Sequence, residues 1–225
     1  MSGQSEIDGA RGWIVAFAGC AINTWTFGVF YAFATALEQM VDEFNASLSG
    51  IAAFFSVTTF LFFAVGMLAG PLADRFGARR LVAVGAFLMG GGLWLTAQVE
   101  SLLTGIVIYG LGVGLGIGSY LVPLSVATGA WFEKHRTLAL GINTVGIGLG
   151  TLILVPVAEW LIRTAGWRSA FELMGIGSII VYGVVAMVSF RPPTPPASVS
   201  VSVAAARRAI RKSEFWRLYT AGLLM

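Results

Sequence analysis

Six apolar stretches follow one another between Trp13 and Phe190, with no Lys, Arg, Asp or Glu near the middle of any of them. They run over about 13–37, 50–72, 81–97, 102–131, 138–162 and 169–190. Each reaches the roughly 17–25 residues that cross a bilayer as a helix. Hydrocarbon offers no partner to a backbone N–H or C=O, so a spanning segment must close its hydrogen bonds internally. A membrane β-barrel would instead show segments of about ten residues in strict alternation, and this chain has none. The expected fold class is therefore an all-α membrane protein of six transmembrane helices.

The rest of the composition agrees. Hydrophobic residues make up 57% of the 225 and charged residues 11%, against about a quarter charged in soluble domains. The 29 glycines suit close helix packing in lipid. A net charge of +3 sits in short loops between spans and does not describe a nucleic-acid surface. The single cysteine, Cys20, lies inside the first span, and the single histidine, His135, lies in a loop. No disulfide, thiolate metal site or cofactor is expected from these. A membrane-embedded enzyme would need a catalytic constellation such as H-E-x-x-H or a Ser/His pair, and the sequence carries neither, so the chain reads as a non-enzyme.

Basic residues set the orientation. With residues 1–12 in the cytoplasm, all 14 Lys and Arg except Arg163 and Arg168 fall on the cytoplasmic side, as the positive-inside rule requires. The expected organisation has a cytoplasmic N-terminus (1–12), a six-helix bundle (13–190), a cytoplasmic linker (191–213) and the start of a seventh span (214–225). The linker opens with Arg191-Pro192-Pro193-Thr194-Pro195-Pro196, which cannot continue a helix, and its basic end suits anionic lipid. The last segment is too short to cross, so the chain reads as stopping early. A shift of 89 positions lays Gly77-Ala78-Arg79 on Gly166-Trp167-Arg168 and Tyr31 on Tyr120. Two triplets of helices related in this way would be inverted repeats.

The loop after the second span reads Gly70-Pro71-Leu72-Ala73-Asp74-Arg75-Phe76-Gly77-Ala78-Arg79-Arg80. It resembles the G-x-L-x-D-R-x-G-R-R signature of the major facilitator superfamily, departing at Ala78. That resemblance implies the N-terminal half of a twelve-helix fold and a missing C-terminal six-helix partner. It also implies a gating latch made by Gly70, Asp74, Arg75, Gly77, Arg79 and Arg80. In physical terms, Gly70 is expected to allow close helix approach, Asp74 to accept N–H groups at a helix N-terminus, and the arginines to pair with carboxylates or phosphates. The alternative reading of the loop is a basic, topology-setting segment.

Three further stretches are similar to the monocarboxylate transporter group and its bacterial oxalate/formate-exchanger relatives. They are Asp8-Gly9-Ala10-Arg11-Gly12-Trp13, Phe44-Asn45-Ala46-Ser47, and Trp131-Phe132-Glu133-Lys134-His135-Arg136 with Gly141, Gly146 and Gly150 beyond it. This resemblance implies a plasma (inner) membrane transporter of a small organic anion such as lactate, pyruvate, formate or oxalate. It would work by alternating access, with protons as a coupling ion or by anion exchange. Where some animal members have a lysine in the first helix, this chain has Tyr31. Where many proton-coupled facilitators have an arginine in the fourth, it has Ile108.

Among polar residues inside spans, Asn23, Phe27 and Tyr31 follow at four-residue steps and are expected to share a helical face. Together with Tyr120 and Asn143 they are the candidate substrate-binding residues. Hydrogen bonding between helices is the alternative role for such groups. The glycines of the fourth and fifth spans, including Gly146, Gly148 and Gly150, are expected at tight helix contacts. Two other functions stay open: transport of a drug, sugar or nucleoside, and a half that only binds a partner.

Overall fold

The structure is a computed structural model and describes residues 7–188. The linker and the seventh-span segment expected from the sequence lie outside the described residues.

Helices account for nearly all of it: α1 (Ala10–Phe44), α2 (Leu48–Phe76), α3 (Ala78–Thr96), α4 (Leu102–Tyr109), α5 (Leu115–Ala130) and α6 (Arg136–Val188). A π-helical turn, Gly110–Gly114, joins α4 to α5 without interrupting the rod. Among the described residues five helices are long and apolar enough to cross a membrane, α4 to α5 counting as one. At 1.5 Å per residue, the 53 residues of α6 would extend about 80 Å if straight, far beyond the ~30 Å hydrocarbon layer. The element is broken at Gly166, whose φ of 82° and ψ of 159° no α-helix contains.

Short-range chemistry explains the turns. Asn45 ends α1 in the left-handed conformation that Asn tolerates, at φ 46° and ψ 46°. Two residues on, the Ser47 hydroxyl caps α2 by accepting the Gly50 N–H at 3.1 Å. The Phe44-Asn45-Ala46-Ser47 stretch is thus a stop signal followed directly by a start signal. Ser101 caps α4 in the same manner through the Thr104 N–H. Gly77, at φ 86° and ψ 139°, separates α2 from α3.

We call the end of the bundle holding Asp8 the near end and the end holding Asn45 the far end. α1 packs chiefly on α6, and α3 packs on α6 and α5. The contacts run through glycines. An added Cβ at Gly146 or Gly150 would strike the Cys20 or Thr24 carbonyl of α1. Gly92 and Gly112 bring the backbones of α3 and the π turn together. Toward the far end, Phe33, Phe54, Tyr109 and Phe171 form a buried aromatic cluster with ring centroids 5.1–6.4 Å apart.

Three expectations are corrected. Gly70 meets no helix at close range among the described residues: a Cβ there would find nothing within 4 Å. Gly148 likewise faces open space, because it lies on the side of α6 opposite Gly146 and Gly150. Asp74 sits in the last turn of α2, at the helix's negative C-terminal end, and not at an N-terminus.

Candidate functional site

The first and fifth apolar spans are joined by amides. Asn23 of α1 is buried, and its Nδ2 donates to the backbone carbonyl of Asn143 in α6 at 2.9 Å. Its Oδ1 accepts from the Tyr120 hydroxyl of α5 at 2.9 Å. Asn143 Nδ2 in turn donates to Thr128 Oγ1 at 3.1 Å. Asn143 Oδ1 is buried without a partner among the described residues. It occupies the room that Gly19 leaves by lacking a Cβ. One turn along α1, Thr26 Oγ1 shares a 2.7 Å hydrogen bond with the Tyr182 hydroxyl, and Tyr182 also lies 3.1 Å from Met89 Sδ. The Tyr120 and Tyr182 rings meet edge to face at 5.1 Å. Such bonds contribute about 0.6–2 kcal/mol each in lipid, so the network fixes the register of α1, α5 and α6 against one another.

The candidate binding residues therefore divide. Asn23, Tyr120 and Asn143 come together in this network, inside the helix packing. Phe27 is also buried. Tyr31 stands on the open side of α1, 38% exposed. Asn23, Phe27 and Tyr31 follow one side of α1 but differ in depth: the first two are buried and Tyr31 is exposed. Each four-residue step advances about 40° beyond a full turn, and two steps carry the side chain from the packed side to the open side. Thr26, Tyr182 and Thr128 were not singled out from sequence. Tyr182, a lone phenol in an apolar run, was the available signal.

The near end carries a second constellation. Asp8 has φ 58° and donates its N–H to the Trp131 carbonyl at 2.9 Å. Its two carboxylate oxygens accept the amides of Lys134 and His135 at 3.1 and 3.2 Å. Partial desolvation works to raise the Asp8 pKa. The amides of Lys134, His135 and Glu133, with the nearby His135 charge, outweigh it and hold the carboxyl below its usual range. Trp13 packs edge-on against Phe132 at 4.9 Å, and Gly12 leaves space for that ring. The Asp8–Trp13 and Trp131–Arg136 stretches, 118 or more positions apart, thus form one clip across the feet of α1 and α6.

The far end is held by charge. Arg168 binds Glu43 of α1 at 2.8 Å and donates to the carbonyls of Ala97 and Val99 at the end of α3. Trp167 Nε1 donates to the same Glu43 carboxylate, and Gln39 pairs with the Trp167 N–H at 3.0 Å. By contrast Asp74, Arg79 and Arg80 are exposed and make no ion pair among the described residues. Arg75 lies over the Phe76 ring at 5.3 Å. A shallow groove on α6, lined by Gly141, Thr144, Val145, Gly148 and Leu149, contains none of the candidate binding residues.

Long apolar helices packed through glycines, polar groups paired inside the bundle and charges confined to its two ends define a multi-pass membrane protein. The chain matches the profile of the Major Facilitator Superfamily over residues 16–225, and it belongs to that family. Its members are transporters and not enzymes. Over 168 residues the chain is 32% identical to monocarboxylate transporter 11 of Mus musculus, which covers 75% of this chain and 38% of that protein. Over 177 residues it is 32% identical to the riboflavin transporter RibJ of Trypanosoma brucei brucei, covering 77% of this chain and 32% of that protein. In fold it is similar to a crystal structure of the peptide transporter POT in complex with alafosfalin, with a TM-score of 0.65 and 21% identity. That likeness covers 93% of this chain and 46% of the other. The chain thus spans about a third of the length of these two relatives.

Proposed function

We propose that this chain is the first six-span half of a transporter that moves a small organic anion by alternating access, with proton symport or anion exchange as the coupling. The observation that carries this reading is the near-end clip. The two stretches that resemble the monocarboxylate group, Asp8–Trp13 and Trp131–Arg136, are held against each other by the Asp8 carboxylate. The likeness to monocarboxylate transporter 11 supports the same substrate class. In this reading the near end is cytoplasmic, the membrane is the plasma (inner) membrane, and a second six-helix half completes the pathway.

The two halves of α6 on either side of Gly166 count as separate spans, giving six. Gly77 and Gly166 share a positive-φ, extended-ψ conformation and stand 89 positions apart. This supports two inverted three-helix repeats. Gly70, Asp74, Arg75, Gly77, Arg79 and Arg80 act as the latch, and the charges of Asp74, Arg79 and Arg80, which make no ion pair among the described residues, are available to the second half. Asn23, Tyr120, Asn143 and Phe27 serve the pathway by positioning α1, α5 and α6, while Tyr31 faces it. A second reading, transport of a flat conjugated solute, is favoured by the exposed Tyr31 and Phe55 rings, each packed on Phe30, and by the likeness to a riboflavin transporter.

Uptake of labelled lactate, formate, oxalate and riboflavin by cells expressing the native reading frame, with and without an inward proton gradient, tests the proposal. Saturable uptake of one of the three anions supports it. Uptake of riboflavin alone favours the second reading, and uptake of none of the four contradicts both.

A further inference from the structure

The fourth span is one rod in two segments, α4 and α5, and the π turn Gly110–Gly114 between them holds one residue more than an α-helix would. Such turns are rare and gather at functional sites. Three of the five residues are glycines, each against a neighbour: Gly110 on the Val57 side chain, Gly112 on the Gly92 backbone and Gly114 on the Thr58 carbonyl. Lacking Cβ atoms, these positions can turn about the axis without driving a side chain into α2 or α3.

The two segments are held differently. The Tyr120 hydroxyl of α5 donates to Asn23, and Gly116 and Gly118 fit closely on α3 and α2. In α4 the deepest anchor is Tyr109, whose ring packs on Phe33, Phe54 and Phe171 with centroids 5.1–5.9 Å apart. Its hydroxyl is buried there with no hydrogen-bond partner among the described residues. Buried hydroxyls are nearly always paired, because an unpaired one costs stability.

A partner lies one register step away. If the extra residue passes from the π turn into α4, Tyr109 takes the place Ile108 holds here, about 100° round the helix and about 1.5 Å toward the far end. Ile108 shares a face with Gly105 and Gly112. An added Cβ would meet Phe54 and Val99 at Gly105, and Gly92 at Gly112. Thr96 lies between Gly92 and Val99 and is fully buried. Its Oγ1 donates to the Gly92 carbonyl at 2.6 Å, which leaves lone pairs to accept a second bond.

We propose that the π turn is a register joint in the fourth span. In a second state the extra residue sits within α4, and Tyr109 leaves the aromatic cluster and donates its hydroxyl to Thr96 Oγ1. Its withdrawal loosens the cluster that ties α1, α2 and α6 together toward the far end. Packed cores switch between discrete arrangements of this kind. The joint rests on the transporter reading only for what the motion serves, which is opening of the far end.

The 225-residue chain in lipid nanodiscs tests the joint without any solute. Tyr109→Phe keeps the ring and removes the unpaired hydroxyl, so Tm should rise by about 2–4 °C. In a Cys20→Ala background, a short bifunctional thiol reagent should link Tyr109→Cys to Thr96→Cys as well as to Phe54→Cys. Deletion of Leu111 removes the extra residue and holds α4 in the register seen here. It should abolish the link to position 96 and keep the link to position 54. In cells expressing the native reading frame, Tyr109→Phe and Thr96→Val should each slow uptake of labelled lactate, formate, oxalate or riboflavin about tenfold, the loss of one hydrogen bond. The double variant should be no slower than either. A Tm at or below wild type in Tyr109→Phe, no link between positions 96 and 109, or a link that survives the deletion overturns the joint. So does wild-type uptake by Tyr109→Phe. If the Tm and cross-links behave as expected and none of the four solutes is taken up, the joint stands and the transporter reading alone falls.

Discussion

Asn23 and Tyr31 lie two turns apart on α1 and predict unequal responses to the same truncation. Asn23→Ala removes two buried hydrogen bonds, from the Tyr120 hydroxyl and to the Asn143 carbonyl, a loss of about 1–3 kcal/mol. Tyr31→Ala removes a ring with no hydrogen bond among the described residues and loses only its contacts with Phe27 and Phe30, about 0.5–1.5 kcal/mol. Thermal unfolding of the purified variants in detergent reads the difference. Equal shifts in Tm would show that the amide network does not set the register of α1. Asp8 gives a pH dependence at the same scale. Its folded pKa lies below the unfolded one, so the clip contributes fully at neutral pH and above the ordinary carboxylate range. The contribution fades as pH falls through the depressed folded pKa. Protection of the Lys134 and His135 amides, taken relative to the intrinsic exchange rate at each pH, should fall in that acid window, and Asp8→Ala should lack it at all pH values.

At the scale of helices, the glycines fall into two kinds that need different explanations. Gly150 is required for space, since a Cβ would strike the Thr24 carbonyl. Gly166 has open space around it but a φ of 82° that L side chains rarely adopt. Gly166→Ala should therefore cost about 1–3 kcal/mol of backbone strain with no steric clash. Gly150→Ala should fail by separating α1 from α6. Cross-linking between cysteines placed on α1 and α6 tells them apart: it should persist in the first variant and decline in the second. The sequence showed that Gly146, Gly148 and Gly150 belong to a glycine-rich span but not which side each takes. Spacing gives a period and leaves its phase open, and the phase is set by the neighbouring helix. For the same reason the spans were readable from hydropathy, as was the gap between the fifth and sixth that holds Gly166, whereas the π turn at Gly110–Gly114 was not. The Asn23–Tyr120 and Asn23–Asn143 pairs join residues about a hundred positions apart, and no local pattern announces which amide meets which hydroxyl. Asp8 and Glu43 were visible as acids at loop ends, but their partners, the amides after Trp131 and the Arg168 guanidinium, follow from tertiary packing alone.

Across the whole molecule, the two ends of the bundle are built differently. The far end is closed within the chain by Glu43, Gln39, Trp167 and Arg168. At the near end the Asp8 clip ties α1 to α6, while Asp74, Arg79 and Arg80 on the α2–α3 side make no ion pair among the described residues. The open face of α1 bearing Tyr31 is also uncovered within the described residues. A transport pathway needs walls on both sides, and alternating access needs one wall to rock against the other. The solved transporter that shares this fold is about twice as long as the region the chain matches, at 46% coverage. An anion leaving water beside Tyr31 would gain only neutral hydrogen bonds, and a buried charge requires a paired partner to offset its desolvation. Residues 1–225 alone should therefore insert into a membrane yet not carry the solute across. Purified chain reconstituted in liposomes should show no uptake of labelled lactate, formate, oxalate or riboflavin above protein-free vesicles. Saturable uptake by the chain alone would overturn this expectation and would mean that two copies, facing each other across their Tyr31 surfaces, close a pathway by themselves.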